Sequence, residues 1–221
     1  MFRVLATQLE RAGYAALRFD YSGTGDSLGD SRAATVDAWV GDVAAAADRL
    51  RSASGAARLA VVGLRFGATL AMLAGARGDL RLRHLVLWDP VVDGAAYLHE
   101  LADQHRTYMR YEIGDSWVDQ LQVAADGTPA EALGTPIGQA LGGQIAAIDL
   151  SATAPAAEQI TVITTRITPE LERLRPHLPA WARWLEMPDS PAWNADAALN
   201  AMTVPMDIVR AIVARLEEVS P

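Results

Sequence analysis

The chain has 221 residues, a length that suits one domain, and 51% of them are apolar, enough for a large core. Its formal charge is -8 and all 19 basic residues are arginine, with no basic run, so nothing resembles a nucleic-acid footprint. Cys 0 excludes disulfides, a thiol nucleophile and a Cys-ligated zinc. No stretch reaches the roughly 18 unbroken apolar residues of a membrane span, and the start carries no signal-peptide pattern, so a cytoplasmic protein is expected.

Met1 to Ala12 reads as a helix with Phe2, Leu5, Ala6 and Leu9 on one face, ended by Gly13. Tyr14 to Phe19 is a short apolar run and reads as a buried strand. Asp20 to Ser31, rich in Gly, Ser and Asp, reads as a loop. Thr35 to Arg51 is amphipathic, with Val36, Trp39, Val40, Val43 and Leu50 at helical spacing. Arg58 to Leu64 predicts a second strand, Phe66 to Ala76 an Ala-rich helix, and His84 to Trp88 a third strand. Gly94 to Tyr111 looks helical, and residues 94–158 suggest a cap or insertion within a single 1–221 domain. Ile160 to Thr165 and Trp181 to Met187 read as strands, and Pro169 to Leu174 as a short helix. Pro205 opens a last helix with Ile208, Ile212, Val213 and Leu216 inward. Alternating strands and helices imply an α/β fold, a mainly parallel sheet with helices on both faces.

The informative stretch is Leu59-Ala-Val-Val-Gly63-Leu64-Arg65-Phe66-Gly67-Ala68-Thr69-Leu70. A strand runs into Gly-x-x-x-Gly, and a helix of small residues follows. This is the layout of a nucleophile elbow, in which flanking glycines permit a turn too tight for side chains and the central side chain is thrust into a site. By itself Gly-x-x-x-Gly equally suits an ordinary strand-to-helix turn. Upstream stands Leu17-Arg-Phe19-Asp20-Tyr-Ser-Gly23-Thr-Gly25-Asp-Ser27, and downstream Leu85-Val-Leu-Trp88-Asp89-Pro90-Val-Val.

These three blocks, in this order, resemble the α/β-hydrolase superfamily of the serine-aminopeptidase-like type, and within it a branch of exosortase-associated hydrolases. The resemblance covers essentially the whole chain and is strongest over residues 13–100. It implies an α/β-hydrolase fold with a small helical cap. It also implies that Arg65 stands at the nucleophile position, that the Phe66 N–H lines the oxyanion hole, and that Asp20 and Asp89 sit at the carboxyl ends of adjacent strands facing one crevice. Two departures follow. A guanidinium stays protonated, so Arg65 cannot attack a carbonyl. The histidine expected after the last strand has no counterpart in Pro188 to Asn194, and the acid expected after Thr165 has only Thr168, Glu170 and Glu172 nearby. The resemblance further implies a strand ahead of Met1. The fold is expected to be N-terminally incomplete, with preceding residues, a homodimer contact or a partner protein covering the unpaired edges.

Arg65 then has two readings. Above a helix N-terminus it binds a carboxylate or phosphate, the anionic end of a small or acyl ligand, or Asp89 or Asp20 closes on it in an internal ion pair. Two acidic groups near one arginine make the ion pair the simpler expectation. Gly25-Asp26-Ser27-Leu28-Gly29 is a literal Gly-x-Ser-x-Gly and carries the Gly-Asp-Ser-Leu string of another esterase class, but no Asp-x-x-His completes that site, so Ser27 reads as a loop serine. Ser22 is the other displaced-nucleophile candidate. His99 and His105 lie six apart, off a common helix face, so neither a metal nor a cofactor is expected; they read as surface or cap residues, or as a base and ligand contact reaching down from the cap. Trp181, Trp184 and Trp193 read as core and cap packing. Three function classes remain: a non-catalytic homologue binding a small anionic or acyl ligand through Arg65, a divergent ester or thioester hydrolase with a displaced nucleophile, and a non-hydrolytic enzyme in which Arg65 orients a carboxylate. The first is favoured because each triad position has lost its chemistry.

Overall fold

A computed structural model describes residues 1–78, 80–115, 129–188 and 204–218, which fall into two compact units. The first unit comprises residues 1–19, 43–90 and 151–221. It opens with helix α1 (Phe2–Arg11) and receives the second part of α2 (Val36–Ser54). Strand β1 (Leu59–Leu64) leads into α3 (Phe66–Ala76), and β2 (Leu82–Trp88) follows.

In the second unit, residues 20–42 and 91–150, the long loop carries a one-turn 3-10 helix at Ser31–Ala33, whose first N–H groups are capped by Asp30. Helix α4 (Gly94–Ile113) is N-capped by Asp93, which accepts from the Ala96 N–H at 3.0 Å. Two-residue strands β3 (Glu131–Ala132) and β4 (Thr135–Pro136) form a hairpin, and α5 (Gln139–Ala146) follows. A Cβ on Gly94 would overlap the Ile145 carbonyl, so glycine there lets α4 and α5 touch. Gln144 of α5 accepts from the Val36 N–H at 2.7 Å and so caps α2 in place of a residue of its own chain segment.

The first unit resumes with β5 (Ala157–Thr164), α6 (Pro169–Leu174), β6 (Arg183–Glu186) and α7 (Met206–Glu218). Its four strands pair in the order β1-β2-β5-β6, all parallel. Parallel strands need both faces covered. Val86, Trp88 and Ile163 pack with Leu5 of α1 and with Ile208, Val209, Ile212 and Leu216 of α7. On the other face the α3 residue Gly75 lies close against Leu82 and Leu85, and β2 is buried along almost its whole length. The fold is the α/β-hydrolase fold, with a parallel central sheet flanked by helices.

Tyr14 to Phe19 corrects the sequence reading. It is not a buried strand: among the described residues it has no ladder partner, and Leu17 and Phe19 are exposed. An apolar run becomes a strand only where a neighbouring backbone pairs with it, and none of the described strands reaches this one. The last strand also contracts from Trp181–Met187 to Arg183–Glu186, and Trp181 lies 48% exposed rather than in the core.

Candidate functional site

Three adjacent strands end together. The register pairs Leu64 with Trp88 and Trp88 with Ile163, so Arg65, Asp89 and the Thr164–Thr165 end of β5 emerge side by side at the carboxyl edge of the sheet. Open parallel sheets bind their ligands at this edge.

Arg65 sits in the turn from β1 to α3 with φ 52 and ψ -123, a conformation that L-residues avoid. Its backbone is pinned on both sides. The N–H donates to the Trp88 carbonyl at 2.9 Å, and the carbonyl accepts from Ala68 N–H at 2.9 Å and Thr69 N–H at 3.2 Å. The glycine of the motif is required by close approach, because a Cβ on Gly63 would overlap the Ala68 backbone. The side chain is half-buried and its Nε is shielded from solvent, so the guanidinium stem runs along protein. Phe66, the first residue of α3, is buried beside it.

Asp89 is the second strained residue, with φ 41, and it is 7% exposed. Its carboxylate takes two donors from a single neighbour: the Thr165 N–H at 2.8 Å and the Thr165 hydroxyl at 2.7 Å. This corrects one half of the ion-pair expectation. Among the described residues no ion pair joins Asp89 to Arg65; the buried carboxylate is satisfied by hydrogen bonds. Thr165 is the residue that sequence reasoning missed. A buried Asp at a strand end demands donors, but which neighbour supplies them depends on strand register.

The loop candidates belong to the second unit. Ser22 gives its hydroxyl to Asp42 at 2.9 Å, and its N–H goes to the other oxygen of the same carboxylate at 2.8 Å. Trp39 donates its indole N–H to the Ser22 carbonyl at 3.0 Å and its ring leans on Tyr21, centroids 5.7 Å apart. Burial, then the Asp42 charge, pushes the Tyr21 phenol up to about 12. Ser27 donates to the Asp20 carbonyl at 2.6 Å, and the Asp20 carboxylate accepts from the Asp26 N–H at 3.2 Å. Gly25 is needed here, because a Cβ would stand 2.5 Å from Asp20 Oδ2. Each serine hydroxyl is thus bound to an acceptor other than an imidazole.

The histidines are dispersed. His84 is buried in β2, its Nε2 2.8 Å from the Thr161 hydroxyl, and burial with the nearby Arg215 and Arg83 charges lowers it to about 4. It lies five residues before Asp89 on one strand, roughly 16 Å away at strand rise. His99 is exposed, its Nδ1 bonded to the Ala95 carbonyl one turn back. His105 is not a surface residue. It is 6% exposed and its Nδ1 accepts from the Leu133 N–H at 3.2 Å, which ties α4 to the β3–β4 hairpin. His177 is exposed. Trp184 is half-buried beneath the Arg175 guanidinium, 4.8 Å from its ring centroid. Trp193, and the segment beyond Pro188 where the triad histidine was sought, lie outside the described residues. Among the described residues no group of acidic or imidazole side chains could hold a metal ion, and no helix is long and apolar enough to cross a membrane.

A parallel sheet covered by helices, with a strained strand–turn–helix bend at its carboxyl edge, defines the class: an α/β-hydrolase-fold protein. The chain belongs to the serine aminopeptidase family S33, whose family model matches residues 1–122. Its fold is similar to that of a hydrolase-like protein from Agrobacterium vitis S4, with TM-score 0.63 and 20% identity over 100% of this chain and 80% of that one. A monoacylglycerol lipase from Paleococcus ferrophilus gives TM-score 0.62 and 16% identity over 99% of this chain and 89% of that one. A thermophilic esterase from Thermogutta terrifontis gives TM-score 0.57 and 16% identity over 99% and 85%. At such identities the likeness establishes the fold alone. By sequence, no curated protein matches the chain.

Proposed function

We propose that this chain is a non-catalytic member of its hydrolase family that holds a small carboxylate or the anionic end of an acyl ligand on Arg65. The observation that carries the reading is the bend itself. A permanently charged guanidinium occupies the strained turn from which an elbow presents its nucleophile, at the start of a helix. Both the charge and the positive end of the helix dipole favour an anion, and neither can perform nucleophilic attack. Asp89 supports the reading from the other side. Its two oxygens are occupied by Thr165, so it serves as a fixed wall and not as a counter-ion closed upon Arg65.

The displaced-nucleophile alternative is weaker. Among the described residues Ser22 and Ser27 lend their protons to Asp42 and to a backbone carbonyl and not to an imidazole.

Two measurements test the proposal. Titrating the chain with acetate, butyrate and octanoate, followed by the Arg65 side-chain Nε–H resonance and by calorimetry, is expected to give saturable binding that weakens with salt and disappears in Arg65→Gln. Incubation with a fluorophosphonate probe and with p-nitrophenyl esters is expected to give no label and no turnover. Labelling that vanishes in Ser27→Ala or Ser22→Ala would overturn the proposal in favour of a hydrolase, and carboxylate binding unchanged in Arg65→Gln would remove Arg65 from it.

A further inference from the structure

The structure assigns a second anion site, distinct from Arg65: a groove beside β6 that takes a small phosphate monoester carrying a flat ring. The groove has a volume of about 650 Å³ and is lined by residues of three separate segments. The 3-10 turn Arg175–His177 supplies Arg175, strand β6 supplies Arg183, and helix α7 supplies Arg215. Strands β1 and β6 stand at opposite ends of the strand order, three spacings apart. That places β6 about 14 Å from the strand that ends at Arg65.

Charge sets the class of occupant. The chain carries net charge -8, yet among the described residues this groove is lined by three arginines and one carboxylate, Glu218. Glu218 is engaged with Arg215, whose side chain is 14% exposed and whose Nε is shielded and without a partner. Arg175 meets its acid only loosely: Glu186 stands 3.8 Å away and both side chains are about half exposed. Water and salt weaken such a pair. The Arg183 side chain makes no hydrogen bond or ion pair among the described residues. Three guanidinium groups against one carboxylate leave two positive charges. A phosphate monoester, close to a dianion at neutral pH, matches that excess, whereas a carboxylate leaves one charge over. Guanidinium forks also fit the oxygens of a phosphate in geometry.

The ring follows from Arg175. Its guanidinium lies over Trp184, 4.8 Å from the ring centroid, which fixes the plane of the fork. The side chain is 51% exposed, so its outer face is left for a second flat ring to stack upon. Pro179 and Leu185 add apolar wall to the same groove. Its volume is that of a small-molecule site.

The test titrates the full chain with phenyl phosphate by calorimetry near pH 7.5, in the natural sequence and in Arg65→Gln, which removes the other anion site. Saturable binding is expected in both. In the Arg65→Gln chain, inorganic phosphate, which lacks the ring, and benzoate, which lacks the second charge, are each expected to bind about tenfold more weakly. Adding Arg183→Gln is expected to weaken phenyl phosphate by about tenfold, and Arg183→Lys by less. Arg183 is exposed, so circular dichroism is expected to show the fold unchanged in both variants. Adenosine 5′-monophosphate forms a parallel arm. If it binds more tightly than phenyl phosphate, the site takes its ring at sugar length from the phosphate; if less tightly, directly on it. Binding that vanishes in Arg65→Gln would place the anion at the carboxyl edge of the sheet and overturn the inference. Affinity unchanged in Arg183→Gln would overturn it too, as would equal binding of inorganic phosphate or benzoate, which would reduce the groove to a diffuse basic surface.

Discussion

Lowering the pH is expected to destabilise the fold through His84 before most carboxylates titrate. The ring is 1% exposed, its Nε2 is 2.8 Å from the Thr161 hydroxyl, and its shielded Nδ1 has no partner among the described residues. Burial, Arg215 and Arg83 all disfavour the imidazolium, which brings the pKa from 6.5 to about 4. In the unfolded chain the ring protonates near 6.5, so between about pH 6.5 and 4 the unfolded state binds more protons than the folded one. Stability is therefore full above 6.5 and falls as the pH drops towards 4. A lowering of this size corresponds to about 2–3 kcal/mol lost across that window. Urea unfolding from pH 7.5 to 4 measures it. The control is the double variant His84→Leu, Thr161→Val, which replaces both partners with apolar groups and so leaves no buried donor or acceptor stranded. Its stability is expected to stay flat where the natural chain declines, with the carboxylate contribution below pH 5 common to both. An NMR titration of His84 with a midpoint near 6.5, or an unchanged slope in the double variant, would refute the reasoning.

Three further outcomes follow from the carboxyl edge of the sheet. Arg65→Gly relieves a backbone that costs about 1–3 kcal/mol in an L-residue, less the entropy of the new glycine. A rise of roughly 2–4 °C in melting temperature is expected, with loss of carboxylate binding; an unchanged or lowered melting temperature would show that the turn is unstrained. Thr165→Val deletes the hydroxyl donor to the buried Asp89 carboxylate and should cost about 1.5–3 kcal/mol in chemical denaturation, most of it restored by Thr165→Ser. Gly63→Ala drives a methyl into the Ala68 backbone and should cost about 3 kcal/mol or give insoluble protein; near-normal expression and stability would mean that β1 and α3 can part.

The sequence disclosed elements whose cause is local. The run at Pro169–Leu174 is helical where proline opens it and Thr168 caps it with its hydroxyl on the Leu171 N–H. The amphipathic stretch at residues 35–51 and the glycine-flanked turn around Arg65 are legible for the same reason. What depended on a distant partner was not. Tyr14 to Phe19 has strand composition but no described neighbour to pair with. His105 reads as a surface or cap residue, and what buries it is distant in sequence: the β3–β4 hairpin, which delivers the Leu133 N–H to it. At the candidate site, Asp89 and Arg65 were visible as residue types, but the choice between ion pair and hydrogen bonds was decided by the register of β2 on β5, which places Thr165 within reach of the carboxylate.

That register separates the geometry of the site from its chemistry. Three main-chain contacts hold the turn at Arg65: Gly63 against Ala68, the Arg65 N–H on Trp88, and the Arg65 carbonyl receiving the first turn of α3. A neighbouring strain at Asp89 is held by Ile163 and Thr165 through the same sheet. Strained backbone persists only where its surroundings over-determine it; at Arg65 main-chain bonds and the Gly63 close approach contribute to this, and at Asp89 the side-chain carboxylate takes part as well. The main-chain contacts at Arg65 are expected to survive a change of its side chain. If the proposed non-catalytic reading holds, Arg65→Ser keeps the turn intact and yields a hydroxyl that no base activates, so ester turnover stays at background while the fold's melting temperature moves by no more than a few degrees. A gain of esterase activity from that single change would show that a general base stands nearby after all, and would return this chain to the enzymes of its family.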